Sequence, residues 1–225
     1  MTQLESVRLY SYWRSSSAWR VRIALELKAI DYELAPVNLK PGADEQHGPV
    51  FRELNALAQV PVLQARWGDS ALRLTQSMAI LDLLETTVPS SPLYPADPRE
   101  RAWALESAEI INSAMQPLQN LGTQTRVQEL GGDGAELARG FVTRGLGALE
   151  TLARQRGRTF CVGDASSVAD VLLVPQLYAS RRLGLDLSPF QKLLEIERHC
   201  AALPAFIKAH PDSQPDKPRD IAGSG

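Results

Sequence analysis

The sequence predicts an α/β domain followed by an all-α one, and three observations carry that expectation. Residues 1–87 alternate short strand and helix patterns in the order βαβαββα. Residues 88–98 then place Pro89, Pro92, Pro95 and Pro98 within eleven positions, and proline lacks an amide donor and resists helix, so this stretch reads as a linker. From 99 to 225 the periodic segments all have helical spacing, and the end is a polar, proline-rich tail. A chain of 225 residues is long enough to bury roughly 70% of its unfolded surface.

The elements follow in order. Val7, Leu9 and Ser11 alternate with Arg8 and Tyr10, the two-residue period of a strand. Ser15, Ser16 and Ser17 come next, each a good N-cap for a helix running to about Lys28. At 100° per residue, Ala18, Val21 and Leu25 share one face of that helix and Trp19, Ile23 and Leu27 the other. Burial on both sides suits a helix lying between a sheet and a second domain, with Arg22 and Glu26 forming an i,i+4 pair between the faces. Tyr32 to Leu39 reads as a second strand, Lys40 to Gly48 as a loop and Phe51 to Leu57 as a short helix. Val60 to Ala65 and Ala71 to Thr75 read as the arms of a hairpin about Trp67-Gly68-Asp69-Ser70. A helix is expected from Ser77 to about Glu85. Beyond the linker, one long helix is expected from Arg99 to about Val127, kinked at Pro117. Gly131-Gly132-Asp133-Gly134 breaks it, and a second helix runs from Ala135 to Arg156. Ser167 and Asp170 form a capping box opening a third. Phe190 to Ala202 and Pro204 to Ala209 complete the helices, and the segment from Pro211 reads as a loose tail.

Composition narrows the function classes. The formal net charge is −2 with Lys and Arg scattered, which argues against nucleic acid or a membrane surface as partner. No apolar run reaches the roughly 20 residues of a membrane span, and the first residues lack the regions of a signal peptide. Cys161 and Cys200 are far apart, so a disulfide framework is not expected and both are read as packing residues. A cytosolic enzyme or binding protein is the default, and no metal site is expected.

Four local features carry chemistry. The three serines at a helix start make an anion site, because first-turn amides and the positive end of the macrodipole meet there, although such serines are mostly plain caps. Val60-Pro61, if cis, would turn the Val60 backbone toward a pocket to pair with an extended peptide; a trans edge-strand proline is the alternative. Thr75-Gln76-Ser77 enters a helix from a strand end and suits a carboxylate, or is a simple cap. Gln116, Gln119 and Asn120 flank Pro117 on a face that should pack, and buried polar groups need a partner, which could be a ligand. Arg20 and Arg22 read first as salt-bridging residues and second as substrate contacts.

Together these segments resemble a known family. Tyr10-Ser11-Tyr12-Trp13-Arg14-Ser15-Ser16, Trp19-Arg20-Val21-Arg22-Ile23-Ala24-Leu25, Asn55, Gln59-Val60-Pro61 and Gln76-Ser77 resemble the zeta-class glutathione transferases of the maleylacetoacetate isomerase type. So do Gln116-Pro117-Leu118-Gln119-Asn120-Leu121, Cys161-Val162-Gly163-Asp164, Ala169-Asp170, Leu173-Val174-Pro175-Gln176, His210-Pro211 and Gln214-Pro215-Asp216. The resemblance implies a thioredoxin-like first domain (1–87), a helical substrate-binding domain (99–225) and a homodimer, the glutathione transferase fold. It implies glutathione as cofactor, with Ser15 donating to its sulfur and Ser16 and Ser17 in the same pocket. Gln46 would reach the tripeptide backbone, Val60 beside Pro61 would pair with the cysteinyl unit, and Gln76 and Ser77 would hold the γ-glutamyl carboxylate. Gln116 and Asn120 would close the pocket, and Arg182 would meet a substrate carboxylate.

The implied activity is isomerisation of maleylacetoacetate to fumarylacetoacetate in phenylalanine and tyrosine catabolism. Maleylpyruvate isomerisation, a conjugating or dehalogenating transferase, and a non-catalytic glutathione-fold binding protein are the alternatives. The chain departs from many zeta members at Ser17, where they carry cysteine. With serines at the strand-to-helix turn, a thioredoxin or glutaredoxin reading is excluded.

Overall fold

The computed structural model describes residues 4–218. They form two compact units, one taking the chain up to Ser91 and again from Pro204 onward, the other taking Pro92–Leu203. The first unit holds β1 (Leu4–Ser11), α1 (Ser16–Leu27), β2 (Tyr32–Pro36), α2 (Pro49–Leu54), β3 (Val62–Trp67), β4 (Ser70–Thr75) and α3 (Ser77–Thr87). The second holds α4 (Pro98–Glu109), α5 (Gln116–Gln119), α6 (Leu121–Glu129), α7 (Gly134–Arg156), α8 (Val168–Arg182) and α9 (Gln191–Ala201). The last helix, α10 (Pro204–Ala209), returns to the first unit.

In the first unit the order is the expected βαβαββα, and the sheet runs β2-β1-β3-β4. β1 and β2 are parallel, while β1 with β3 and β3 with β4 are antiparallel. Val7, Leu9 and Ser11 are buried, as their alternation predicts. β2 is shorter than expected. After Pro36 only the Val37 amide still reaches Ser11 O, at 2.8 Å, and the chain then turns as the Asn38 amide donates to the Glu45 carboxylate at 2.7 Å. β3 begins at Val62, two residues late, because Pro61 has no amide for a ladder.

Every residue of α1 from Ala18 to Leu25 is buried, so the two-sided pattern was informative. The covers are α3 and β1 on one hand and α10 on the other, all within the first unit. This corrects the expected boundary: residues from Pro204 belong with the α/β unit rather than the helical one. Nor is the tail loose through residue 218. Pro211–Ser213 forms a 3₁₀ turn, and buried Gln214 donates Nε2–H to Lys208 O at 3.1 Å and His210 O at 2.9 Å. The remainder, 219–225, lies outside the described residues. The linker also divides. Lys28 Nζ donates to Val88 O at 2.6 Å in the first unit, while Leu93 and Tyr94 are buried in the second, where Leu93 O accepts the Val168 amide at 2.7 Å.

In the second unit the single kinked helix expected over 99–127 is three helical segments, the first two joined by a π-helical stretch, Ile110–Met115. Pro117 cannot donate to the preceding turn, and a π-bulge is one way a helix absorbs such a loss. Asn120 is extended, at φ −63° and ψ 143°, and ends α5. Thr123 Oγ1 donates to Pro117 O and Gln124 Nε2 to Gln119 O, both at 2.7 Å, satisfying carbonyls freed by the break. The capping box at Ser167 and Asp170 is present. Asp170, fully buried, accepts from Ser167 N at 2.8 Å, Ser167 Oγ at 3.0 Å and Cys161 N at 2.9 Å.

Candidate active site

Of the three serines, the structure selects Ser15 as the cap. It is extended (φ −69°, ψ 118°) and its Oγ accepts the Ala18 amide at 3.3 Å. Ser16 and Ser17 open α1, and all three are half-buried. The turn is closed by the Ser15 amide on Tyr12 O and the Trp19 amide on Ser15 O, each at 2.9 Å. As an acceptor for Ala18, Ser15 Oγ keeps its own proton to donate elsewhere. The helix offers no carbonyl of its own to its first-turn amides, and its dipole is positive there.

The sheet register brings the other first-unit residues to this turn. Tyr10 pairs with Val62, and Val62 with Thr75, so the end of β1, the start of β3 and the end of β4 lie on one row. The Ser15 turn, Val60-Pro61 and Gln76-Ser77 therefore leave the sheet at the same edge. The Val60-Pro61 peptide is cis. Val60 packs with Tyr12, Ala18, Val37 and Phe51 in one cluster. Asn55, buried, shapes the approach to Val60: its Nδ2 donates to Gln59 O at 2.7 Å and its Oδ1 accepts the Leu57 amide at 3.0 Å.

Gln76 is exposed and sits at φ 69°, ψ 116°, a region side chains rarely adopt, and makes no side-chain cap for α3. Such strain costs about 1–3 kcal/mol and concentrates at ligand sites. Ser77, 5% exposed, accepts from Arg20 Nη1 at 3.3 Å. Gln46 lies in the 3₁₀ turn Glu45–His47 that follows β2, and its Oε1 is buried with no hydrogen-bond partner among the described residues. An orphaned buried acceptor is expensive unless a ligand satisfies it. A peptide amide would do so.

Arg20 is fully buried, and its guanidinium donates to Ser77 inside the unit, where it meets the start of α3. The predicted Arg22–Glu26 pair is absent from the described contacts of both residues. Glu26 pairs instead with Lys208 at 2.8 Å, and Arg22 turns inward to Ser11, Tyr12, Trp13 and Ala209. The reason is the C-terminal segment, which supplies both a cation for Glu26 and a carbonyl for Arg22.

The second unit carries Gln116, Asn120 and Arg182. Gln116 Nε2 donates to Asn120 Oδ1 at 3.2 Å, both residues half-buried at the two ends of α5. Arg182 is exposed at the end of α8, beside Arg181, which pairs with Glu197. Gln119 is explained without a ligand: it and buried Gln176 exchange amide hydrogen bonds at 2.8 and 2.9 Å. Cys161 and Cys200 are buried, and burial pushes both thiols well above their ordinary pKa, so neither is a thiolate at neutral pH. A shallow groove of about 1220 Å³ lies over the opposite end of the strands, lined by Arg8, Glu33, Gln64 and Arg66, and is not part of the serine site.

Two groups beside the serine turn have partners that the sequence did not reveal. Arg22 donates to both carbonyls of Tyr12-Trp13, and Asp216 Oδ2 accepts the Trp13 amide at 2.8 Å. Both lie in segments that carried the family resemblance, but no local pattern showed that residue 216 folds back onto residue 13.

The arrangement is an anion site with a hydroxyl donor, flanked by a helix start suited to a carboxylate and an unpartnered amide acceptor. The glutathione S-transferase N-terminal domain profile matches residues 5–86. Probable maleylacetoacetate isomerase 2 of Drosophila melanogaster is 44% identical over 95% of this chain and 91% of its own length. The crystal structure of maleylacetoacetate isomerase from Anaeromyxobacter dehalogenans 2CP-1, with bound GSH in the active site, is 46% identical, with a TM-score of 0.87, covering 95% of this chain and 98% of that one. A bacterial maleyl pyruvate isomerase, a zeta-class glutathione S-transferase in its holo form, is 32% identical with a TM-score of 0.86, covering 93% and 99%. The chain belongs to the zeta-class glutathione S-transferase family of the maleylacetoacetate isomerase type.

Proposed function

We propose that this chain is a glutathione-dependent cis–trans isomerase that converts maleylacetoacetate to fumarylacetoacetate in phenylalanine and tyrosine catabolism, working in the cytoplasm as a homodimer. The observation that carries the reading is Ser15, capping α1 through its oxygen while its proton remains to be donated at the helix's positive end. Among the described residues no helix is long and apolar enough to cross a membrane.

Bound glutathione supplies a nucleophilic sulfur that adds to the maleyl double bond, allows rotation about the resulting single bond and leaves again. The residues of this chain prepare that sulfur. A free thiol titrates near 8.5, so only a few per cent is ionised at neutral pH. Ser15 Oγ–H and the start of α1 both favour the anion, with Ser16 and Ser17 lining the same turn. Serine needs no proton removed, since it acts as donor. Gln46 Oε1 fits a peptide amide, Val60 lies where an extended peptide can pair beside Pro61, and Gln76 with Ser77 presents the start of α3 to the γ-glutamyl carboxylate.

The experiment is turnover of freshly prepared maleylacetoacetate and maleylpyruvate, side by side, with glutathione followed throughout. Isomerisation that leaves glutathione undepleted supports the reading. Stoichiometric consumption would instead identify a conjugating transferase, and no turnover of either substrate would sink the proposal. Maleylpyruvate stands as the second substrate because it shares the maleyl unit and a close structural neighbour is a maleyl pyruvate isomerase.

A further inference from the structure

The turn that carries Ser15 is held from the far end of the chain. Arg22, with no exposed surface, donates Nη2–H to Trp13 O at 2.9 Å, and Nη1–H to Tyr12 O at 3.4 Å and Ser11 Oγ at 2.9 Å. Its Nε–H goes to Ala209 O at 3.1 Å. Burial lowers its pKa only to about 10, so it is a cation at neutral pH, and the charge of Asp216 faces it. Asp216 Oδ2 in turn accepts the Trp13 amide across 203 positions of sequence. Tyr12-Trp13 is thus gripped through both carbonyls by a cation and through one amide by an anion. Ser15 follows after Arg14, its own amide bonded to Tyr12 O.

Asp216 is not what docks the C-terminal segment. Lys208 pairs with Glu26 at 2.8 Å, the rings of Trp19 and His210 meet edge to face at 5.2 Å, and Gln214 ties Lys208 to His210. These contacts hold α10 and the 3₁₀ turn in place without a carboxylate at 216. What Asp216 adds is directed at the hinge. Among the described residues its other oxygen, Oδ1, is buried without a partner, so the carboxylate is held here at a cost.

We propose that Asp216 is a positioning residue: through the Trp13 amide, and with Arg22 on the adjoining carbonyls, it sets the Tyr12–Ser15 turn so that the Ser15 hydroxyl meets the glutathione sulfur. Hydrogen bonds weaken steeply as their angle falls, so a small rotation of this turn would cost the sulfur its donor. The inference rests on the role given to Ser15 above.

The test compares the wild type with Asp216→Ala and Asp216→Asn by ultraviolet titration of bound glutathione, glutathione Kd, kcat and thermal midpoint. D216A should raise the bound-thiol pKa by about one unit and lower kcat roughly tenfold, with Kd and thermal midpoint little changed. D216N keeps an oxygen for the Trp13 amide and should recover most of the loss. D216A placed on Ser15→Ala should add almost nothing, since both act through one hydroxyl. If D216A does not fold, Asp216→Leu, of similar shape but with no acceptor, takes its place. A wild type with an unshifted thiol would overturn the role of Ser15 and the inference with it. A lowered wild-type pKa that survives in D216A, or a D216A effect that adds fully to S15A, would overturn the inference alone.

Discussion

The Ser15 oxygen is already an acceptor for Ala18 N–H, which leaves its proton to be donated outside the helix. A hydrogen bond to a charged partner is worth about 1.5–3 kcal/mol, so Ser15→Ala should lower turnover roughly ten- to a hundredfold. Glutathione affinity should change far less if, as proposed, Gln46, Val60, Gln76 and Ser77 hold the rest of the tripeptide. Steady-state kinetics against a glutathione titration separates the two, and lost binding with normal saturated turnover would contradict the assignment. Ser17 poses a different question. It occupies the first turn of α1, where a thiol would have a depressed pKa, whereas Cys161 and Cys200 are buried with their thiols pushed up. The native wild type should therefore resist an aromatic disulfide reagent, and Ser17→Cys should gain one fast-reacting thiol. Rapid labelling of the native wild type would place a reactive cysteine outside the α1 turn.

At the scale of elements, short-range signals were readable because each depends on neighbours a few residues apart. The alternation in β1, the two apolar faces of α1 and the capping box at Ser167 all appear in the structure. Where the sequence misled, the cause was either a break inside the segment or a distant partner. The helical period runs on through 99–127, but the loss of the Pro117 donor and the extended Asn120 split it into three segments. Arg22 and Glu26 have pairing-competent spacing, yet Ala209 and Lys208 take their places. The capping box offers a direct check of local energetics. Asp170 accepts three hydrogen bonds in a fully buried setting, so Asp170→Ala should destabilise the protein by about 3 kcal/mol, as for other buried networks that lose one member. Chemical denaturation measures it, and a change within 0.5 kcal/mol, about the size of a surface substitution, would show that the box is not holding α8.

For the whole molecule, the chain's last described stretch is what the sequence hid. Pro204–Ala209 was legible as a helix, but its return to the α/β unit follows from Ala209, Lys208 and His210 finding partners on α1. No local pattern encodes contacts across some 200 residues. The site itself was more legible than the fold around it, since Ser15, Val60-Pro61 and Gln76-Ser77 are each short motifs that the sheet register brings to one edge. Of the residues that hold those motifs in place, Asn55 and Asp216 were visible only as parts of a family resemblance, and Arg22 was assigned a different partner. The central claim is that this edge turns a weakly acidic thiol into an anion. Titrating glutathione bound to the wild-type protein by thiolate absorbance tests it most directly. The pKa should fall by at least about one unit below the free value near 8.5 and return toward it in S15A. A bound thiol that titrates at the free value would contradict the account.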